Sequence, residues 1–168
     1  MENKDLRIAI VPGSFDPITN GHIDIVKRAK ESYDKVYLAV MINDAKEYMF
    51  TLEERTEIAK AALCDMDGVE VISSDGYLWK LAKSLGACAI VKGIRNETDE
   101  AYELKMAEYN AEHYPEARTV LLKTTEALKD ISSTLVRERL SAKEGIEAYL
   151  PDKAIAKIEE ILRKNSSK

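Results

Sequence analysis

The sequence predicts an α/β fold, a single domain in which helices flank a parallel five-stranded sheet, and three observations predict it. Five short β-prone runs are spread along the chain, a segment of helical periodicity fills each interval between them, and polar turn-forming residues gather after the strands. Alternation of this kind gives parallel strands joined by crossover helices that cover both faces of the sheet. A chain of 168 residues, 45% of them hydrophobic, is enough for one buried core and too short for two. No linker, internal repeat or low-complexity block divides it, so residues 1–168 are read as one domain.

The first strand is expected over Leu6, Ile8, Ala9, Ile10 and Val11, followed by a turn-rich loop that ends at Asn20-Gly21-His22. From His22 onward Ile23, Ile25, Val26 and Ala29 recur at helical spacing. Val36–Ile42 forms the second strand, and Thr51-Leu52-Glu53-Glu54 has the form of a capping box that opens the next helix. Val69–Ser73 is the third strand, and the helix over Tyr77–Leu85 stops at Gly86. Cys88–Lys92 is the fourth, followed by a longer helix from about Glu97 to Tyr114. That helix carries Tyr102, Met106 and Tyr109 on one stripe, read as facing the core, and Pro115 ends it. Thr119–Leu122 is the fifth strand. A polar loop over Lys123–Asp130 leads to a helix opening near Ile131-Ser132-Ser133-Thr134, and an amphipathic helix over about 152–164 precedes a tail at 165–168.

Composition narrows the functional classes. A net charge of −5 argues against nucleic acid or an anionic membrane as partner, because such surfaces use excess Lys and Arg to displace counterions. Any anionic substrate must then meet a local basic pocket. Cys64 and Cys88 lie in apolar neighbourhoods with no CxxC spacing, and are read as reduced core residues of a cytoplasmic protein. Residues 1–7 are charged and lack a signal-peptide pattern, and no apolar run approaches the ~18 residues of a membrane span.

Open α/β sheets bind ligands beyond the carboxyl ends of their strands, where strand order reverses. Ser14 and His22 follow the first strand, Lys46 the second, Lys92-Gly93-Ile94-Arg95 the fourth, and Ser132, Ser133 and Thr134 the fifth. Convergence of these segments on one rim would make an anion site, helped by helix starts whose free N–H groups carry partial positive charge. Gly13 and Gly21 lack a Cβ that would keep a ligand from the backbone, and Gly93 between two cations suits close approach of a nucleotide. Each residue also has a plainer role. His22 at a helix start can bond a nearby carbonyl, Lys92 and Arg95 can pair with Glu97 and Asp99 at the surface, and Lys46 can be a solvated lysine. One of the three hydroxyls is expected to be the N-cap, and Glu103 taken alone would be a solvated helix face. Neither GxxxxGK[ST] nor GxGxxG occurs, nor does a Ser/His/Asp or Cys/His arrangement that would provide a general base.

Taken together, Pro12-Gly13-Ser14-Phe15-Asp16-Pro17-Ile18-Thr19-Asn20-Gly21-His22-Ile23-Asp24-Ile25, Met49-Phe50-Thr51-Leu52-Glu53-Glu54-Arg55, Gly93-Ile94-Arg95, Tyr102-Glu103 and Ile131-Ser132-Ser133-Thr134-Leu135-Val136 resemble the bacterial phosphopantetheine adenylyltransferases, nucleotidyltransferases with a T/HxGH motif. The resemblance covers nearly the whole chain. It implies a Rossmann-like nucleotidyltransferase domain that moves the adenylyl group of ATP onto 4′-phosphopantetheine, yielding dephospho-coenzyme A and pyrophosphate, the penultimate step of coenzyme A synthesis. By that resemblance His22 is catalytic and also touches ATP, together with Ser14, Phe15, Gly93, Ile94, Arg95, Glu103, Leu128, Lys129, Asp130, Ile131, Ser132, Ser133 and Thr134. Ser14, Lys46, Leu78 and Lys92 would contact phosphopantetheine. Magnesium as the ATP counterion, with no metal ligand assigned to the protein, and a homohexamer are implied as well.

The chain departs from the pattern in three places: Lys92 stands where many members have Arg, Asp99-Glu100-Ala101-Tyr102-Glu103 replaces DFEYE, and Ser14 replaces Thr. Lysine offers a point charge in place of a two-pronged fork. The rival readings are another small nucleotidyltransferase, acting on nicotinamide mononucleotide or with CTP, and a non-catalytic adenine-nucleotide sensor.

Overall fold

The computed structural model describes residues 6–167. Its elements alternate as expected: β1 (Ile8–Gly13), α1 (Asn20–Ser32), β2 (Lys35–Met41), α2 (Leu52–Leu63), β3 (Val69–Ser74), α3 (Leu78–Leu85), β4 (Ala89–Ile94), α4 (Glu97–His113), β5 (Arg118–Lys123), a short 3₁₀ turn at Glu126–Leu128, α5 (Ser133–Ser141) and α6 (Asp152–Ser166). The five strands are parallel in the order β3-β2-β1-β4-β5, so strand order reverses between β1 and β4. There the ladder is short. β1 and β2 pair from Ile8↔Lys35 to Gly13↔Val40, but β1 and β4 pair only at Ala9↔Ala89 and Ile10↔Ile90. The carboxyl halves of the two inner strands are left unpaired with one another, which opens the crevice in which such sheets hold ligands.

Alternate strand residues feed two cores. Ala9, Val11, Val36, Leu38, Val40, Ala89 and Val91 face Ile25 and Val26 of α1, Ile58 of α2 and Ile158 of α6. Ile10, Ala39 and Ile90 face Ala82 of α3 on the other side. Each fully buried Ile or Leu contributes roughly 1.5–3 kcal/mol by removal from water. The capping box at α2 is made as read, with Glu54 N donating to Thr51 Oγ1 at 3.1 Å and Thr51 N to Glu54 Oε1 at 2.9 Å. Gly86 closes α3 at φ +65°, a left-handed turn that glycine adopts without steric cost.

Five expectations are corrected. β1 begins at Ile8 and leaves Leu6 outside, 62% exposed. β4 runs on to Ile94 because its pairing with β5 continues to Ile94↔Lys123, so Lys92, Gly93 and Ile94 belong to the strand. The stripe of α4 is rotated by about one residue. Glu103, Met106, Ala107 and Asn110 turn inward at helical spacing while Tyr102 and Tyr109 stay exposed. Two of the four inward residues are polar, which hides the stripe from a hydrophobic pattern. Cys64 caps the end of α2 in solvent and is not a core residue, and Cys88 is half-buried. At the chain's end α6 extends to Ser166, into the expected tail, and residues 1–5 and 168 lie outside the described residues.

Candidate active site

His22 is the third residue of α1, and Thr19 is the N-cap, in extended backbone at φ −129° and ψ 172°. The Thr19 amide donates to His22 Nδ1 at 3.0 Å. The imidazole thus takes the place that Glu or Gln fills in an ordinary capping box. Because Nδ1 accepts, the neutral ring carries its proton on Nε2, which remains free to donate. Loss of hydration around the ring, and secondly the positive charge of Arg95, lower the pKa from 6.5 to about 4. The ring is neutral at physiological pH. Phe15 meets it edge-on, with centroids 5.0 Å apart.

The loop ahead of α1 is built from inside. Phe15 sits at φ +48° with its ring buried, a left-handed conformation that costs a non-glycine residue on the order of 1 kcal/mol. That ring lies beneath Gly13, where a Cβ would come within 2.8 Å of Phe15 Cζ. Gly13 therefore makes room for its own neighbour, and the reading that it admits a ligand is corrected. Gly21 would meet only ordinary contacts, the nearest being Thr19 Oγ1 at 3.5 Å and Ile131 O at 3.8 Å. Asp16 is buried and accepts from Met49 N at 2.9 Å and Phe50 N at 3.0 Å. Arg55, 1% exposed, donates Nη1 to Ser14 O at 2.7 Å and Met41 O at 2.9 Å, and Nε to Phe50 O at 3.2 Å. A charge with hydrogen-bonding partners of this kind tolerates burial that would otherwise be costly.

The other side of the crevice carries paired cations. Lys92 Nζ lies 2.6 Å from Glu103 Oε2, both side chains about four-fifths buried, so Glu103 is not a solvated helix face. Arg95 pairs with Asp99 at 3.4 Å in a more open position. Gly93 carries no side chain because α1 packs there, with an added Cβ 3.1 Å from Ile25 Cγ1. Ile94 is buried.

At the fifth strand's rim, each hydroxyl has a partner. Ser132 Oγ caps α5 by accepting from Leu135 N at 3.1 Å, Ser133 Oγ donates to Pro17 O at 2.7 Å, and Thr134 Oγ1 accepts from Arg137 Nη2 at 3.1 Å. What this helix start offers an anion is backbone. Among the described residues the amides of Ser133 and Thr134 donate to no acceptor. At α1, in contrast, the Asn20 amide already donates to Tyr149 O at 2.8 Å.

The structure brings Ser14, Phe15, His22, Arg95 and the 128–134 segment to one rim. Arg95 is close enough to depress the His22 pKa, Ser133 holds Pro17, and the carbonyls of Leu128 and Ile131 lie within 4.0 Å of the Gly21 position. Lys129 and Asp130 are exposed beside them. Lys46 is exposed on the loop after β2, and two residues further on the Tyr48 hydroxyl lies 3.4 Å from Ser14 Oγ. Leu78, the first residue of α3, packs against the core beneath the sheet. Sequence reasoning missed Asp16, Tyr48 and Arg55 as parts of this machinery. Asp16 and Arg55 were signalled only by membership in two separate motif blocks, and Tyr48, just ahead of the second block, by nothing.

A neutral fixed donor, cations paired with carboxylates and free helix amides are together suited to an anion reacting at phosphorus. They provide charge neutralisation and alignment, not proton abstraction. The model of the cytidylyltransferase-like family matches residues 10–139. The chain is 39% identical over 160 residues to the phosphopantetheine adenylyltransferase of Caldanaerobacter subterraneus subsp. tengcongensis, covering 95% of this chain and 100% of that protein. It is 40% identical to that of Lactobacillus acidophilus over 94% and 99% of the two chains, and 43% identical to that of Alkaliphilus metalliredigens over 88% and 94%.

Proposed function

The chain belongs to the cytidylyltransferase-like family and, within it, to the phosphopantetheine adenylyltransferases, and from that premise we propose that it adenylylates 4′-phosphopantetheine with ATP. A phosphate oxygen of the acceptor forms a bond to the α-phosphorus as the bond from that phosphorus to the bridging oxygen breaks. The electron pair leaves with pyrophosphate, and dephospho-coenzyme A is formed. No proton has to be removed from the nucleophile, in keeping with a site that has no general base.

The observation that carries this reading is the His22 ring, fastened at Nδ1 by Thr19, which leaves Nε2–H free to donate. Charge grows on the non-bridging oxygens of the α-phosphate during attack, and a donor already in place stabilises it without reorganising. Lys92 and Arg95 exchange Glu103 and Asp99 for substrate phosphates, while the amides of Ser133 and Thr134 take further triphosphate oxygens. Ser14, Lys46 and Leu78 serve the acceptor, and Phe15, Gly93 to Arg95, Glu103 and residues 128–134 serve the nucleotide. Magnesium fits as an ion carried by the triphosphate, since among the described residues no group of three or more His, Cys, Asp or Glu side chains is placed to hold one. It would supply charge neutralisation. We further propose a homohexamer working in the cytoplasm, with Tyr102, Leu104 and Tyr109, all exposed on α4, available to a neighbouring copy.

Incubating the protein with ATP and phosphopantetheine and following dephospho-coenzyme A and pyrophosphate tests the reading. Parallel reactions with CTP or nicotinamide mononucleotide are expected to stay at background. Turnover of either pair in preference would transfer the site to a different nucleotidyltransferase, and nucleotide binding without turnover would make the protein a sensor.

A further inference from the structure

The loop between β2 and α2 is exposed from Ile42 to Glu47 and then turns inward at Tyr48. The Tyr48 ring lies under the buried guanidinium of Arg55, whose Cζ is 3.9 Å from the ring centroid. The same guanidinium holds the carbonyls of Ser14 and Met41. At the other end of the ring, the hydroxyl accepts from Asn43 N at 2.7 Å and lies 3.4 Å from Ser14 Oγ. Asn43 in turn closes the turn that carries Lys46, accepting from Lys46 N at 2.9 Å and, through Oδ1, from Ala45 N at 3.0 Å. One phenol therefore ties the Lys46 turn to the Ser14 hydroxyl.

A phosphate oxygen only accepts, so Ser14 serves it by donating its single hydroxyl proton. The serine oxygen is then left without a donor of its own. Tyr48 has the single phenolic proton to give, its oxygen already accepting from the Asn43 amide, and that proton has two acceptors within reach, Ser14 Oγ and Asn43 O, each at 3.4 Å. We infer that Tyr48 is a positioning residue for the acceptor phosphate: its hydroxyl donates to Ser14 Oγ, which donates to the phosphate, while the same oxygen, by accepting from Asn43 N, holds the turn that carries Lys46. Donors in series polarise one another, so the phenol strengthens a bond it does not itself make. The inference rests on the phosphopantetheine reading above.

Tyr48→Phe keeps the ring on Arg55 and removes only the hydroxyl. The Michaelis constant for phosphopantetheine is expected to rise about three- to tenfold, as for loss of one hydrogen bond in a charged network, with that for ATP moving less than about twofold. In a Ser14→Ala background the same change is expected to cost less, since the relay is already broken and only the tie from the hydroxyl to the Asn43 amide is lost. Thermal melting of wild type and Tyr48→Phe should coincide. An unchanged acceptor constant, an undiminished cost in the Ser14→Ala background, or parallel losses for both substrates with a lowered melting point would overturn the positioning role. Wild-type turnover of ATP with phosphopantetheine, measured alongside, separates that failure from failure of the functional reading, which would take this inference with it.

Discussion

The two walls of the crevice are built on opposite principles. On the β1 side, buried Asp16 and Arg55 bond backbone groups and buried Thr19 donates its amide to the His22 ring, so the loop that positions Ser14 and His22 is set before any ligand arrives. On the β4 side, Lys92 and Arg95 are held by carboxylates, which the proposed function has substrate phosphates replace. Geometry at the reacting centre gains from rigidity, because a donor that need not reorganise stabilises the transition state more. Binding and release of highly charged reagents gain from exchangeable partners. The rigid wall should therefore respond to mutation in fold and in turnover, and the exchangeable wall in affinity.

The largest effect expected is from Arg55→Met. Three carbonyls lose their donor, so unfolding free energy should fall by about 3 kcal/mol in denaturant titration; a loss below ~1 kcal/mol would show that the β1 loop stands without it. His22→Ala should lower turnover by ~10²-fold or more, about 2.7 kcal/mol, with ATP affinity by calorimetry nearly unchanged. Equal losses in both would place the ring among the binding groups.

Protonation tests the same wall. Above pH 6.5 His22 is neutral folded and unfolded, but below it the unfolded chain takes up a proton that the folded ring refuses until about pH 4. Stability should thus fall by about 2 kcal/mol between pH 7 and pH 5 from this group. His22→Gln retains an acceptor for the Thr19 amide and removes the titration, so its unfolding curves at the two pH values should lie closer together than the wild type's.

On the exchangeable wall, Lys92→Ala should raise the Michaelis constant for phosphopantetheine roughly tenfold, about 1.4 kcal/mol. An unchanged constant would remove Lys92 from the acceptor site. Smallest of all, Asp99→Asn should alter unfolding by less than ~0.5 kcal/mol, as expected of a largely exposed pair. A larger change would make that ion pair part of the scaffold and erase the contrast between the walls.

The strands, the capping box at Thr51 and the left-handed stop at Gly86 were legible because periodicity and caps are local. His22 was legible as a helix-start residue, but which of its nitrogens is left free was not, since that depends on which ring atom takes the Thr19 amide. Arg55 was illegible as a buried residue. A charged side chain within a helical pattern reads as surface, and only the carbonyls of Ser14 and Met41 arriving from two other segments make it interior. For the same reason Gly13 and Gly93 were assigned to a ligand, when Phe15 and Ile25 occupy the space that each leaves.

What the sequence determined by itself is the alternation of strand and helix, and with it a rim where helix starts and polar loops must gather. Period and capping act over a few residues and need no partner. Which groups on that rim are fixed and which are exchangeable was decided by the tertiary structure alone. Burial and bonding between Asp16 and Phe50, Arg55 and Ser14, or Ser133 and Pro17 exist only once distant segments share one low-dielectric interior, where a satisfied polar group is held firmly and an unsatisfied one is costly.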